Sequence, residues 1–457
     1  DNGVAATATA SGMAALTTAV MTICSSGDHI VASSRMYGAN INLLENTLPR
    51  FGITTTFVAP DDLSAIEAAI QPNTKIIFGE VIGNPGLDVM DVAAVAEIGK
   101  KAHVPLMLDC TFNTPWLLKP ITLGANIIIH SLTKWMGGHG IAIGGAVVDG
   151  GNFDWGKDDR FPTIAGPHYA MNEINFHEEF GPAAFTAKFR AEGMYNFGPS
   201  MSPTNAFHIL QGIETLPLRM QRHMDNTAAM LTFLTEHDQV AWVKHPTLPT
   251  HPSHELVQRM LPRGAGSIIV FGLKGGRAAG QAFIEAVQLS SHLANVGDAK
   301  TLVIHPASTT HSHISAEAMR EGGLSDDMIR LSVGLEDIAD ITTDFELGLR
   351  YDSNEIETGA CDSDESELSI SGSYLYKINE SSNVSVGIIR AGRTPSVEEA
   401  FANVSNSTCA RPTDPEELVL HAATNLIEIG NPNLDTETST NFEIGYRHNT
   451  GRLTGEV

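Results

Sequence analysis

The sequence predicts an α/β protein built on a doubly wound sheet, and three features carry that expectation. Strand-like and helix-like runs alternate: strand 53–58, helix 61–71, strand 75–80, helix 91–102 and strand 104–109. Two apolar runs end in reactive side chains. Leu106-Met-Leu-Asp109 closes on a carboxylate, and Ile127-Ile-Ile-His-Ser-Leu-Thr-Lys134 closes on hydroxyls and a lysine before Gly137 and Gly138. Beyond residue 346 the hydrophobic period changes from helical to two, so a different architecture follows. Doubly wound sheets bind ligands outside the carboxyl ends of their strands, where Asp109 and Lys134 fall.

Taken in order, residues 4–24 form an apolar, helix-like stretch with Ser11-Gly12-Met13 at the helix opening. Free N–H groups at a helix start, with a glycine admitting close approach, suit an anion; an ordinary serine cap is the plainer reading. Residues 29–33 read as a strand, and Tyr37 lies in the loop after it. Its ring suits stacking on an aromatic ligand or a plain surface position. Asn84 follows the 75–80 strand, which ends in Glu80. A strand is expected over 141–148. Residues 151–185 read as an irregular, aromatic-rich loop, which at that length shapes an entrance or a subunit contact. Residues 204–235 carry helical periodicity, with Ala206, Ile209, Leu210, Ile213 and Leu216 on one face. A smaller α/β unit follows: strands near 241–243, 266–273, 301–304 and 329–333, with helices 276–289 and 315–322. A last helix is expected at 338–345.

Lys134 organises the chemistry. A lysine between a hydrophobic strand and a Gly-rich turn sits where the backbone opens into a cavity, although most lysines are simply solvated. Ser131 and Thr133 beside it offer hydroxyls to a phosphate. A phosphate next to a Schiff-base lysine points to pyridoxal 5'-phosphate. Asp109 at a neighbouring strand end suits a protonated pyridine nitrogen, or else caps a turn. Arg330 offers a bidentate grip on an amino-acid carboxylate, or pairs with Asp326 or Asp327.

Asp109-Cys-Thr-Phe-Asn-Thr-Pro, Ser131-Leu-Thr-Lys-Trp-Met-Gly-Gly-His-Gly and Arg330-Leu-Ser-Val-Gly-Leu-Glu-Asp together resemble the Cys/Met-metabolism family of pyridoxal-phosphate enzymes. Phe176-His-Glu-Glu-Phe, Ser202-Pro-Thr-Asn-Ala-Phe, Gly212-Ile-Glu-Thr-Leu-Pro-Leu-Arg-Met and Pro306-Ala-Ser-Thr-Thr-His resemble its O-acetylhomoserine sulfhydrylase branch. The resemblance covers roughly residues 1–345. It implies the type I, aspartate aminotransferase-like PLP-dependent transferase fold, with a large domain over 1–203 and a small one over 204–345. It implies that Ser11, Gly12, Met13, Tyr37, Asn84, Asp109, Thr111, Ser131, Thr133 and Lys134 hold the cofactor. It also implies that Lys134 and Tyr37 move protons, and that Asn84, Ser308 and Arg330 orient the substrate. The implied reaction replaces the γ-acetoxy group of O-acetylhomoserine with sulfide or a thiol; cystathionine γ-synthase and methionine γ-lyase chemistry use the same residues. A homodimer or homotetramer with sites shared across the interface is implied as well. A Tyr-x-Arg segment that grips the neighbouring subunit's cofactor phosphate is missing from this chain. Val81-Ile82 stand where the family usually has Ser or Thr.

The tail reads differently. Residues 368–376, 383–390 and 441–447 alternate polar and apolar residues, as transmembrane barrel strands do. Gly392-Arg-Thr-Pro-Ser-Val-Glu-Glu-Ala-Phe and Gly430-Asn-Pro-Asn-Leu resemble the C-terminal barrel of TonB-dependent outer-membrane receptors. Residues 346–457 are therefore expected to be a β-barrel fragment joined to an unrelated enzyme, with Cys361 and Cys409 either a disulfide of the parent receptor's extracellular loops or two idle thiols.

The bulk properties fit this division. The 457 residues suggest about three domains at about 150 residues each. A net charge of −25 argues against nucleic acid as a partner. With no signal-peptide pattern and no apolar run long enough for a membrane helix, residues 1–345 are expected to be cytoplasmic and membrane-free. Cys24 and Cys110 read as reduced thiols there.

Overall fold

Apolar runs such as His29–Ser33 and Ile127–Ser131 are buried almost throughout, as strands covered on both faces must be. In the computed structural model, which describes residues 1–309, 325–346, 350–358, 361–379, 382–393, 437–449 and 454–456, they lie inside a seven-stranded sheet. Its strands are β1 (Ala5–Thr9), β2 (His29–Ser33), β3 (Thr54–Val58), β4 (Thr74–Glu80), β5 (Leu106–Asp109), β6 (Ile127–Ser131) and β7 (Gly145–Asp149). The order is β1-β7-β6-β5-β4-β2-β3. From β6 to β3 all neighbours are parallel, and β7 runs antiparallel between β1 and β6. The helix Val92–Ala102 between β4 and β5 starts on an Asp91 cap, whose Oδ1 accepts from the Ala94 N–H at 3.1 Å. It ends at His103 in the left-handed region, with Lys100 and Lys101 in the last turn.

The second sheet has the order β10-β11-β12-β9-β8: β8 (Val240–Lys244), β9 (Ile268–Leu273), β10 (Ser291–His292), β11 (Leu302–Ile304) and β12 (Met328–Ser332). Arg330 pairs with Val270 on β9 and Ile304 on β11, so it stands on a central strand.

Several expectations need correction. Residues 5–9 form β1, not the start of the helix; Thr7 and Thr9 favour extended backbone, and Ala5 to Thr9 pair with Asp149 to Gly145. Helix α1 runs from Gly12 to Ile23. β7 begins at Gly145 rather than 141, because Gly140 has φ +64° and Ile141 and Ile143 project into solvent. Residues 151–185 are mostly short helical turns, and Trp155, Phe161, Phe176 and Phe185 are core residues packed with α1 side chains. The helical run after 203 breaks at Thr215 into Pro203–Glu214 and Leu216–Glu236. Ile209 and Leu216 are buried, but Leu210 is 60% exposed and faces away from them. The helix expected at 315–322 lies outside the described residues.

The described residues fall into two compact units: Asp1–Gly280 with Ser290–Ile338, and Gln281–Leu289 with Ala339–Val457. Both sheets above belong to the first. In the second, Asp344 Oδ1 accepts from the Gln288 and Leu289 N–H groups at 2.7 and 2.8 Å. Its sheet is an antiparallel meander of β13 (Arg350–Thr358), β14 (Cys361–Asn379), β15 (Ser382–Arg393), β16 (Glu437–Asn449) and β17 (Thr454–Glu456). Period-two alternation thus did mark strands, with Tyr374 opposite Val386 and Ile388 opposite Phe442. Cys409 and residues 394–436 lie outside the described residues. No described helix is long and apolar enough to cross a membrane.

Candidate active site

Parallel pairing aligns the chemistry. Glu80 at the end of β4 is in register with Asp109 at the end of β5, and Asp109 with Ile129 on β6, two residues before Ser131. Three strands therefore deliver Glu80, Asp109 and Ser131 to one edge of the sheet.

From there a closed ring of hydrogen bonds can be followed. Asp109 Oδ1 accepts from the Thr111 N–H at 2.9 Å, and Thr111 Oγ1 accepts from the Ser131 N–H at 2.9 Å. The Ser131 carbonyl accepts from the Lys134 N–H at 3.2 Å. Lys134 Nζ donates to Asn295 Oδ1, and the Asn295 carbonyl accepts from Arg330 at 3.3 Å. Arg330 also donates to Asn84 Oδ1 at 3.1 Å, and the Asn84 N–H donates to Glu80 Oε2 at 3.1 Å. Asn40 Nδ2 closes the circle, donating to Glu80 Oε1 at 3.1 Å and to Asp109 Oδ2 at 3.4 Å. Residues far apart in the chain are thus joined in one hydrogen-bonded circuit.

The N-terminus of α1 meets this ring at Ser131. A Cβ on Gly12 would lie 2.8 Å from Ser131 Cβ, so only glycine allows that approach. Ser11 Oγ accepts from the Ala14 N–H at 3.1 Å, the ordinary cap. The Gly12 and Met13 N–H groups have no acceptor among the described residues, as the first donors of a helix lack one within it. Met13 itself is half-buried against the core. Thr133 is turned elsewhere: its hydroxyl exchanges hydrogen bonds with the Gly144 carbonyl and N–H at 3.3 and 3.1 Å.

Burial sets the electrostatics. It lowers the Lys134 ammonium from its usual value, and the nearby Arg330 guanidinium lowers it further. Arg330 is pulled by burial down to about 10, against the opposing influence of Tyr37. It stays cationic at neutral pH. Glu80 is pushed well above the carboxylate range by burial and then by Asp109, while three N–H donors pull it back. The Cys110 thiol is pushed up by burial and by Asp109, so it is inert.

The sequence-predicted residues Asn84, Asp109, Thr111, Ser131, Lys134 and Arg330 are members of the ring. Asp326 pairs with Arg277 at 3.2 Å and Asp327 accepts from Trp242 at 2.8 Å, which leaves neither as the partner of Arg330. Tyr37 is half exposed and joins through its backbone N–H, which donates to Glu80 Oε1 at 2.7 Å. Ser308 closes the turn Pro306–Ser308 after β11. The sequence reading missed Asn40, Asn295 and Arg219, and gave Glu80 no role. Arg219 donates to the Trp135 and Met136 carbonyls at 2.7 and 3.1 Å, gripping the turn after Lys134. Its signal was its place in the Gly212-to-Met220 motif, to which no role was attached. Asn295-Val-Gly reads merely as a turn.

Residues 1–350 match the Cys/Met metabolism PLP-dependent enzyme family. The chain belongs to that family. Among proteins of this PLP-dependent family, it is 46% identical over 347 residues to the homocysteine synthase of Schizosaccharomyces pombe, covering 76% of this chain and 81% of that protein. It is 43% identical to the O-acetyl-L-homoserine sulfhydrylase of Leptospira meyeri, covering 77% and 81%. A Campylobacter jejuni structure described as an O-acetylhomoserine (thiol)-lyase, solved with N'-pyridoxyl-lysine-5'-monophosphate, superposes with a TM-score of 0.72. Its identity is 34%, and the match covers 76% of this chain and 83% of that one. Residues 326–457 match the TonB dependent receptor-like beta-barrel family, overlapping the first match over 326–350.

The residues present fit pyridoxal phosphate. Gly12 leaves a cradle against Ser131 in front of free helix N–H groups, which suits a phosphate. Lys134 presents a buried amine of lowered basicity, and Asp109 a carboxylate in the same hydrogen-bonded circuit.

Proposed function

We propose that the chain catalyses γ-replacement on O-acetylhomoserine, with sulfide or a thiol as acceptor, giving homocysteine or methionine and acetate. The observation that carries this reading is the hydrogen-bonded circuit that joins Lys134, Arg330, Asn84 and Asp109. The similarity to homocysteine synthase and O-acetyl-L-homoserine sulfhydrylases selects this reaction among the chemistries the same residues serve.

In this reading Ser11, Gly12, Met13 and Ser131 would hold the cofactor phosphate, with Thr133 reaching it only by giving up its bonds to Gly144. Asp109 would hold the ring nitrogen's proton, and Asn84, Thr111 and Tyr37 would border the cofactor ring. Bound pyridoxal phosphate supplies the electron sink for charge developing on the substrate carbons. Arg330, held by Asn84 and Asn295, grips the substrate carboxylate with its guanidinium fork. Ser308 helps orient the same group. The Lys134 amine, made less basic by burial, takes the proton from the α-carbon and shuttles the β-proton. Tyr37 moves a proton at the leaving group. Acetate departs from the γ-carbon, and the sulfur nucleophile bonds to that carbon.

The large domain is assigned to residues 1–203 and the small one to 204–345. Residues 1–345 are assigned to the cytoplasm, as a homodimer or homotetramer without nucleic-acid or membrane partners. The tail is read as an outer-membrane receptor fragment joined to the enzyme by fusion of two genes. Long-read sequencing of the source locus checks this: one uninterrupted gene across position 346 in independent isolates contradicts it.

The test of the reaction is direct. The full chain, supplied with pyridoxal phosphate, O-acetylhomoserine and sulfide, should release homocysteine and acetate. Release of neither product overturns the proposal, as does faster turnover with cysteine as the sulfur donor.

A further inference from the structure

Glu80 has no part in the chemistry above, yet it is a carboxylate only 7% exposed, in register with a second carboxylate on the next strand. Such neighbours repel, and burial magnifies the repulsion. No lysine or arginine pairs with Glu80 among the described residues. Its partners are three neutral N–H groups: Tyr37 at 2.7 Å and Asn40 at 3.1 Å on Oε1, and Asn84 at 3.1 Å on Oε2. Each belongs to a site segment. Asn84 accepts from Arg330, Asn40 donates also to Asp109, and the Tyr37 backbone N–H carries the loop bearing the phenol. A residue kept for packing alone would more cheaply be apolar.

We infer that Glu80 is a positioning residue that couples the two ends of the site: through Asn84 it sets the Arg330 grip on the substrate carboxylate, and through Asn40 it sets Asp109 against the cofactor nitrogen. This rests on the reading under Proposed function. A glutamine at this position keeps the shape but turns an NH2 group toward one of the three donors, so at least one bond is lost. The two ends then lose their common anchor.

The experiment compares the full-length wild type with Glu80→Gln and Asn40→Ala, each loaded with pyridoxal phosphate. Two quantities are read without turnover: the pH midpoint of the cofactor's visible absorption, and the affinity for L-2-aminobutyrate, which has the carboxylate but no γ-leaving group. Glu80→Gln should shift the midpoint by at least about half a pH unit and weaken L-2-aminobutyrate about tenfold. Asn40→Ala should shift the midpoint while weakening L-2-aminobutyrate less. Unchanged midpoint and affinity in a folded Glu80→Gln protein overturn the inference, even if its thermal stability falls. If Glu80→Gln does not fold, Asn40→Ala decides, and an unshifted midpoint overturns it. A wild type that shows no visible band with pyridoxal phosphate overturns the functional reading itself, a separate failure.

Discussion

Asn84 and Arg330 are 246 residues apart in the chain, yet a 3.1 Å hydrogen bond joins them, from the guanidinium to Asn84 Oδ1. The bond ties the loop after β4 in the first sheet to the central strand β12 of the second. Arg330 also donates to the Asn295 carbonyl at 3.3 Å, so both terminal nitrogens of the guanidinium are held by protein. That arrangement suits a grip on a carboxylate, and it makes Arg330 sensitive to small changes of shape.

Replacing Arg330 with lysine keeps the charge and loses the fork. A charge-assisted hydrogen bond contributes about 1.5–3 kcal/mol, so KM for O-acetylhomoserine should rise roughly tenfold to hundredfold, with kcat less affected. Steady-state kinetics check this, and an unchanged KM removes Arg330 from substrate binding.

Gly12→Ala places a methyl 2.8 Å from Ser131 Cβ, inside any normal contact. The start of α1 must withdraw from Ser131, and overpacking of this kind costs about 1–3 kcal/mol. Affinity for pyridoxal phosphate should fall about tenfold or more, as measured by absorbance titration. Unaltered affinity separates α1 from the phosphate.

Stability should decline on mild acidification. Burial lowers His223 and His245 from 6.5 to about 4 each. As pH falls below 6.5 the unfolded chain takes up protons that these buried imidazoles refuse, so stability present above pH 6.5 is progressively lost toward pH 4. Each contributes at most roughly 3 kcal/mol. Glu80 and Asp149, with raised values, work in the opposite direction, while His130, lowered to about 4, adds to the histidine effect. Urea unfolding at pH 7, 6 and 5 should give falling midpoints; a flat profile contradicts the assignment of neutral buried histidines.

Phe207 and Leu210 on the helix Pro203–Glu214 are 58% and 60% exposed, and Leu218 just beyond is 75% exposed. Large contiguous apolar patches mark interaction surfaces, which makes these side chains the place to test for a subunit contact. If the chain assembles through it, Phe207→Asp with Leu210→Asp should lower the mass seen by light scattering to that of a smaller species. An unaltered mass places the subunit contact elsewhere.

The legible part of this molecule was local. Strand-ending Asp109, the Ser131-to-Lys134 run and Ser11-Gly12 each carry their signal within a few residues; parallel pairing brings the first two to one end of the sheet, and the start of α1 meets Ser131 at Gly12. Asn295 was illegible because its role arises only from contact with Lys134 across 161 residues. Asn40 carries no local signal, and only the meeting of two carboxylates gives it meaning. Leu210 was misread because periodicity reports an apolar stripe without saying what covers it. The aromatic residues of 151–185 were misread as a surface feature because loop length outweighed their bulk; Trp155 and Phe161 are in the core.

The most direct measurement concerns the Lys134 amine. Full-length protein mixed with pyridoxal phosphate and reduced with borohydride should carry the pyridoxyl group on Lys134 in peptide mass spectrometry. Lys134→Ala should show neither the visible band nor homocysteine formation. A pyridoxyl group fixed on a different lysine, or a Lys134→Ala protein that still makes homocysteine, would contradict the account.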